Sequence, residues 1–242
     1  MIQFNPLSIN AQDISNQGIL SAAATGLSDF ILHKGADVDR IFGISGINPE
    51  LLLSPTLSLQ LTNYCEVLEQ SAKLSHCDNF GLHYGQQFHP KALGLIGYIG
   101  LCSASLEDAL KNMTSHFNLH QKDTLCRMVE VNDAYRFDYQ VQHGAILSRR
   151  QDAELTVGMF MNVIREVLGT HYSPREIHFE HPRPEFWQEH SKLFNASVFF
   201  DQPFNSILIA KSDLKTAMPQ SDPLLLTMML DTLKILNSQS QS

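Results

Sequence analysis

The stretch Leu93-Gly94-Leu95-Ile96-Gly97-Tyr98-Ile99-Gly100-Leu101-Cys102 carries no charge and places a glycine at every third position. Such a run has few folded solutions. It is about half as long as a bilayer crossing requires, so it belongs in a protein core and not in a membrane. Its glycines fit neither G-x-G-x-x-G nor a Walker loop, and no strand precedes them to support a phosphate site. Glycines in this setting serve to let another segment approach closely. Ser105 with Asp108 then supplies a capping box, and Leu106, Leu110, Met113 and Phe117 form a helical stripe behind it. The centre of the chain is predicted to be tightly packed helix.

The N-terminal side also reads as helical. Ile19, Ala23, Leu27, Phe30 and Ile31 predict one helix over 15–34, ended by Gly35. Asp37 caps a short helix holding Val38, Ile41 and Phe42, stopped by Gly43, and Asn48-Pro49 opens another at Leu51–Leu53. Ser58 is expected to start a longer helix with Leu61, Cys65, Leu68 and Ala72 on one face. The two short helices around GISGIN have the outline of a helix-turn-helix, yet Arg40 stands alone there against Asp37, Asp39 and Glu50. A DNA reader needs cations for phosphates. This pair is predicted to be structural.

Strands come later. Tyr135, Phe137, Tyr139 and Val141 alternate with Arg136, Asp138, Gln140 and Gln142, a half-buried strand, and Asn132-Asp133-Ala134 turns it back on Thr124–Val131. A helix follows through Ala153, Val157, Phe160, Met161, Ile164 and Leu168 to Gly169. Further strands are expected at Glu176–Glu180, Val198–Phe200 and Ser206–Ala210, a helix through Phe186, Trp187, His190 and Leu193, and a last helix from Asp222-Pro223 through Leu225, Met229, Thr232 and Leu236. The fold class is α+β: a helical N-terminal region packed with a small, mainly antiparallel sheet and flanking helices.

Composition narrows the functions. The 242 residues carry a formal charge of −8, which gives no global attraction to nucleic acid. The four cysteines are scattered, with no C-x-x-C, so neither a disulfide framework nor a structural zinc is indicated. With no basic, then apolar, leader at the N-terminus, the expected location is cytoplasmic, with no membrane partner. His116 and His120 are four apart on one helix, and His178 and His181 three apart at a strand end, but neither pair sits in a metal motif; no metal or other cofactor is expected. His76-Cys77 lacks partners in the sequence, no G-x-S-x-G elbow occurs, and Glu66 with Glu69 or Glu107 with Asp108 read as solvated helix faces. No catalytic residue is assigned. What the pattern offers is a binding interior in which Tyr98, Tyr139, Arg149 and Trp187 are the candidate ligand residues, Arg149 as the partner of an acidic ligand.

The run from Leu93 to Leu110 resembles a hallmark of the N-terminal arabinose-binding-type effector domain of AraC/XylS-like transcriptional regulators. Pro49-Glu50-Leu51-Leu52, Phe80-Gly81-Leu82-His83-Tyr84-Gly85, Ile177 to Pro184 and Leu193 to Phe200 fall in that family's order, over roughly residues 16–225. The resemblance implies a sensor for a small molecule of unnamed identity, forming a homodimer and steering a C-terminal pair of helix-turn-helix units. It divides the chain into an extension at 1–15, an effector-binding and dimerising domain at 16–236 and a linker-like tail at 237–242. The DNA-binding domain is expected to lie outside these residues, so that DNA is reached only through it. The rival reading is a small-metabolite enzyme, or a metal- or haem-binding sensor built on the histidines.

Overall fold

A computed structural model describes residues 18–239; the expected extension at 1–15 lies outside them. The chain opens with β1 (Ile19–Leu20), paired antiparallel with β2 (Ser58–Leu59). The single helix expected over 15–34 is instead a strand, a 3-10 turn at Ser21–Ala24 and a short helix, α1 (Leu27–His33). Gly26 breaks it, with φ at +79° in the left-handed region that ends helices. α2 (Val38–Ser45) is capped by Asp37, whose side chain accepts from the Arg40 amide at 3.0 Å, and ends at Gly46 instead of Gly43. Ser58 lies in β2 and not at a helix start; α3 (Leu61–Leu74) begins three residues later and buries Leu61, Cys65, Leu68 and Ala72 as its periodicity predicts.

α4 (Phe80–Gln87), α5 (Leu95–Cys102) and α6 (Leu106–His120) follow. The glycines of the central run act as spacers. A Cβ at Gly97 would stand 1.9 Å from the Pro90 carbonyl oxygen, and one at Gly100 would stand 2.5 Å from Met113 Sδ on α6. The capping box forms: the Asp108 amide donates to Ser105 Oγ at 3.1 Å.

The main sheet has strand order β3-β4-β7-β5-β6, with β3 (Thr124–Val131), β4 (Ala134–Val141), β5 (Glu176–His178), β6 (Ser197–Phe199) and β7 (Asn205–Ala210). All neighbours pair antiparallel except β5 and β6. The hairpin turns at Asn132-Asp133, with Asn132 at φ +52°. One expectation fails on β4. Asp138, on the strand's polar face, is fully buried, because Arg127, Arg136 and Ser206 all reach its carboxylate.

α7 (Arg150–Leu168) runs through the middle, between α4 on one side and β4 and β7 on the other. Phe160 on α7 packs at 4.1 Å, centroid to centroid, on Phe137. Burying each such ring stabilises the fold by roughly 2–3 kcal/mol. After α8 (Gln188–Phe194) and α9 (Lys211–Leu214), α10 (Pro223–Gln239) lies against α5 and remains helical past the expected boundary at Leu236. The architecture is α+β.

Candidate functional site

Two polar regions stand out, one inside the fold and one at its surface. The interior one grows from β4 and the start of α7. Tyr139 is fully buried and its Oη donates to Asp152 Oδ2 at 2.6 Å, while Gln121 Nε2 donates to that same hydroxyl oxygen at 2.7 Å. Beside it, Arg149 forks onto Glu180, with Nε and Nη2 donating at 2.8 and 3.0 Å. Asn205 joins the two halves, donating to the Tyr139 carbonyl at 3.1 Å and to Glu180 Oε1 at 3.3 Å. Glu69, expected on a solvated face, accepts from the Gln151 amide at 3.0 Å.

Two acids on α7 are pushed in opposite directions. Burial raises the Asp152 carboxyl to about 7, helped by Glu69 and Glu180 and only partly offset by the Tyr139 hydrogen bond and by Arg149. Burial would raise Glu154 too, but the hydrogen bond and charge of His190, with Arg150 and His181, lower it instead. For a carboxyl raised above its unfolded value, stability is fully present below that unfolded value and is lost as pH rises through the folded one. Wild type should therefore lose about 2–3 kcal/mol relative to D152N between pH 5 and pH 8, since D152N keeps an acceptor for Tyr139 without the charge. Denaturant unfolding at both pH values measures this; an equal gap at the two would remove Asp152 as the titrating group.

The surface region is a groove beside α1. One part, about 560 Å³, is lined by Thr25, Asp29, Phe30, Tyr84, Phe88 and His89 among others. A second, about 540 Å³, shares Thr25, Gly26, Asp29 and Ala92 with it and adds Lys91 and Tyr98. Its floor is aromatic: Phe30 stacks on Tyr84 at 5.2 Å, and Tyr84 meets Phe88 edge-on at 5.6 Å. Hydrogen bonds hold the rim. Tyr84 Oη donates to the Thr25 carbonyl at 2.7 Å, and Thr25 Oγ1 donates to the Ala92 carbonyl at 3.1 Å. Each part has the size of a small-molecule site.

The four sequence-derived candidates do not share one place. Tyr98 is on the groove and partly exposed. Tyr139 and Arg149 belong to the interior network, where Glu180 supplies Arg149 with its acid from within the chain. Trp187 precedes α8, with the Arg183 guanidinium 5.0 Å from its ring. Reading along the chain missed Asp29 and Phe30 on α1 and Tyr84 and Phe88 on α4 and its C-cap, two elements that only the fold brings together. The one local signal was Tyr84 within FGLHYG.

The four histidines of the two sequence pairs lie against neighbouring groups of the protein. His116 Nδ1 lies 2.8 Å from the Asn112 carbonyl, His178 Nε2 2.8 Å from Glu176, and His181 Nδ1 2.9 Å from the Pro182 carbonyl. His120 is buried against Phe117, and burial lowers it to about 4. Among the described residues, no three His, Cys, Asp or Glu side chains converge to hold a metal ion, and no helix is long and apolar enough to cross a membrane.

The chain is 20% identical over 213 residues to the ornithine utilization regulator of Pseudomonas aeruginosa, covering 84% of this chain and 60% of that one. The crystal structure of the transcriptional regulator CdpR from Pseudomonas aeruginosa has a similar fold, with a TM-score of 0.62 at 15% identity over 88% of this chain and 65% of that one. The chain thus spans about three fifths of the length of the curated relative. The family described as the N-terminal arabinose-binding domain of AraC transcription regulators matches residues 35–218, from the turn before α2 to the segment before α10. The chain belongs to that family.

Proposed function

We propose that this chain is the effector-sensing part of a longer cytoplasmic transcription regulator, with the groove beside α1 as its effector site. A small molecule held there biases DNA-binding helix-turn-helix units outside these residues, by binding one arrangement more tightly than another. The reading rests on one observation above all: an aromatic floor of Phe30, Tyr84 and Phe88 in one part of the groove, joined through Asp29 to a second part that carries Lys91. A carboxylate and an ammonium on one rim suit a zwitterion, the ammonium of an amino acid on Asp29 and its carboxylate on Lys91, with the side chain over the rings. The relative named for ornithine utilization supports that class of effector. Of the four candidates read from the sequence, Tyr98 remains a ligand-facing residue in this proposal.

The same reading makes the chain a binding protein without catalysis and a homodimer. Leu224, Met228 and Ile235 form an exposed apolar stripe on α10, opposite the buried Leu233, and a face of that kind suits a second copy. The −8 charge fits a part of the regulator that leaves phosphate contact to another domain.

Native mass spectrometry of the purified chain with L-ornithine and a panel of other amino acids tests the proposal. The expected result is a dimer that takes up one ligand per protomer. D29N and K91M should each weaken that uptake by about tenfold or more, the equivalent of one charge-assisted hydrogen bond. No adduct with any amino acid, or adducts indifferent to both substitutions, would overturn the assignment of the groove.

A further inference from the structure

The groove beside α1 carries more polar groups than the two charged ends of a zwitterion require, and their kinds are unequal. Among the described residues lining its two parts, Asp29 is the one carboxylate, and it belongs to both parts. Lys91 lines the second part, while two imidazoles, His33 and His89, line the first. His33 lies one turn beyond Asp29 on α1, on the same face of the helix.

The hydroxyl donors of the first part are spent within the protein. Tyr84 Oη donates to the Thr25 carbonyl, and Thr25 Oγ1 to the Ala22 and Ala92 carbonyls. His89 differs. Its Nδ1 accepts from the Lys91 amide at 3.2 Å and so caps the short turn Pro90–Leu93. A backbone N–H can only donate, which leaves the lone pair on Nδ1 and the ring hydrogen on Nε2. Among the described residues no group accepts from that Nε2–H. One turn thus supplies an ammonium to one part of the groove and an oriented N–H donor to the other.

We propose that the effector is an α-amino dicarboxylic acid, of the glutamate or aspartate type, whose second carboxylate is bound by His89 beside His33. This rests on the groove being the effector site. The α-ammonium meets Asp29 and the α-carboxylate meets Lys91. The side chain then enters the first part, with its methylenes over Phe30, Tyr84 and Phe88, and its carboxylate accepts from His89 Nε2–H. A charged acceptor gives the stronger form of that hydrogen bond. An ω-ammonium in the same place would find no second carboxylate among the described lining residues, and would face a donor. Lys34 Nζ, 5.2 Å from the Phe30 ring centroid, adds a like charge nearby. An apolar side chain would cover the His89 N–H without pairing it.

Isothermal titration calorimetry of the purified chain with L-glutamate, L-aspartate, L-glutamine, L-ornithine and L-norvaline tests this. The better of the two dicarboxylates should bind about tenfold or more tighter than ornithine and norvaline, the worth of one charge-assisted hydrogen bond. Glutamine, with a neutral acceptor, should bind less tightly than that dicarboxylate. H89F keeps a ring and removes the donor. It should weaken the dicarboxylate by about tenfold and leave norvaline no weaker, a split that general damage to the groove would not give. Ornithine, norvaline or glutamine matching the better dicarboxylate would overturn the proposal, and so would a dicarboxylate affinity untouched by H89F. In either case the groove keeps its assignment as an amino-acid site, whereas failure of every amino acid to bind overturns both readings. The ligand series needs no variant, so it decides the matter even if H89F folds poorly.

Discussion

G81A should cost the protein about 4 kcal/mol or more, a large share of the stability of a typical domain. A Cβ at Gly81 would stand 2.0 Å from the carbonyl oxygen of Gln151 and 2.7 Å from its Cα. Those are backbone atoms of α7, so no rotamer change relieves the overlap and the two helices must separate. Four residues on, Gly85 meets Leu155 in the same way, with a Cβ placed 2.6 Å from its carbonyl oxygen, and Gly158 on α7 returns the contact toward Gly85. The crossing depends on bare backbone from both helices. Asn162 Nδ2 closes it by donating to the Gly85 and Phe88 carbonyls at 2.9 and 2.8 Å. G43A is the matched control. Gly43 lies within α2 with open space around its would-be Cβ, and alanine there should be neutral or stabilising by about 0.5–1 kcal/mol. Urea unfolding of both variants measures the contrast; equal effects would show that the α4–α7 approach is looser than these distances.

E154A should destabilise by about 3–5 kcal/mol, the cost of leaving buried partners without their counter-ion. Glu154 is fully buried on α7, and its Oε1 accepts from Arg150 Nε at 2.8 Å and from His190 Nε2 at 2.8 Å, with His181 Nε2 at 3.4 Å. Removing the carboxylate takes from two buried imidazoles their acceptor and leaves the Arg150 guanidinium with Asp78 and Asn79 alone, at 3.0 and 2.5 Å. Because the Glu154 pKa is lowered in the fold, its contribution is present above the unfolded value and is lost as pH falls through the folded one. The gap between wild type and E154A should accordingly narrow in acid. E154Q, which removes the charge but keeps the shape and an acceptor, should still cost a large part of this; a near-neutral E154Q would mean that the cavity, not the charge, sets the penalty.

Elements that depend on neighbours in the chain were legible. The hairpin from Thr124 to Val141 follows from alternation and an Asn-Asp turn, and the Ser105 cap and the stripe on α6 follow from four-residue spacing. The N-terminal reading failed where a local pattern competed with pairing. Ile19 and Leu20 have helical spacing to Ala23 and Leu27, yet they pair with Ser58 and Leu59, and Gly26 breaks the run. The periodicity of apolar residues shows that a side is buried, but not which segment buries it.

The candidate site was less legible, for a related reason. Arg149 reads as a free cation awaiting an acid, because Glu180 is 31 residues away and joins it only when α7 packs beside the end of β5. Asp138 reads as a solvated residue of a half-buried strand until Arg127, Arg136 and Ser206 close over it.

What the sequence determined by itself was the class of fold, the family and the role of the glycines in the central run. These rest on spacing over a few residues, and on bare backbone where a Cβ would intrude. What only the tertiary structure decided was which chemical groups meet. Asp29 and Tyr84 on one groove, Asp152 under Tyr139, and Cys77 with a histidine 6 residues away and an acid 112 residues away are products of helix and strand packing. The physical reason is that hydrogen bonding and ion pairing act over a few ångströms of space, whatever the distance along the chain.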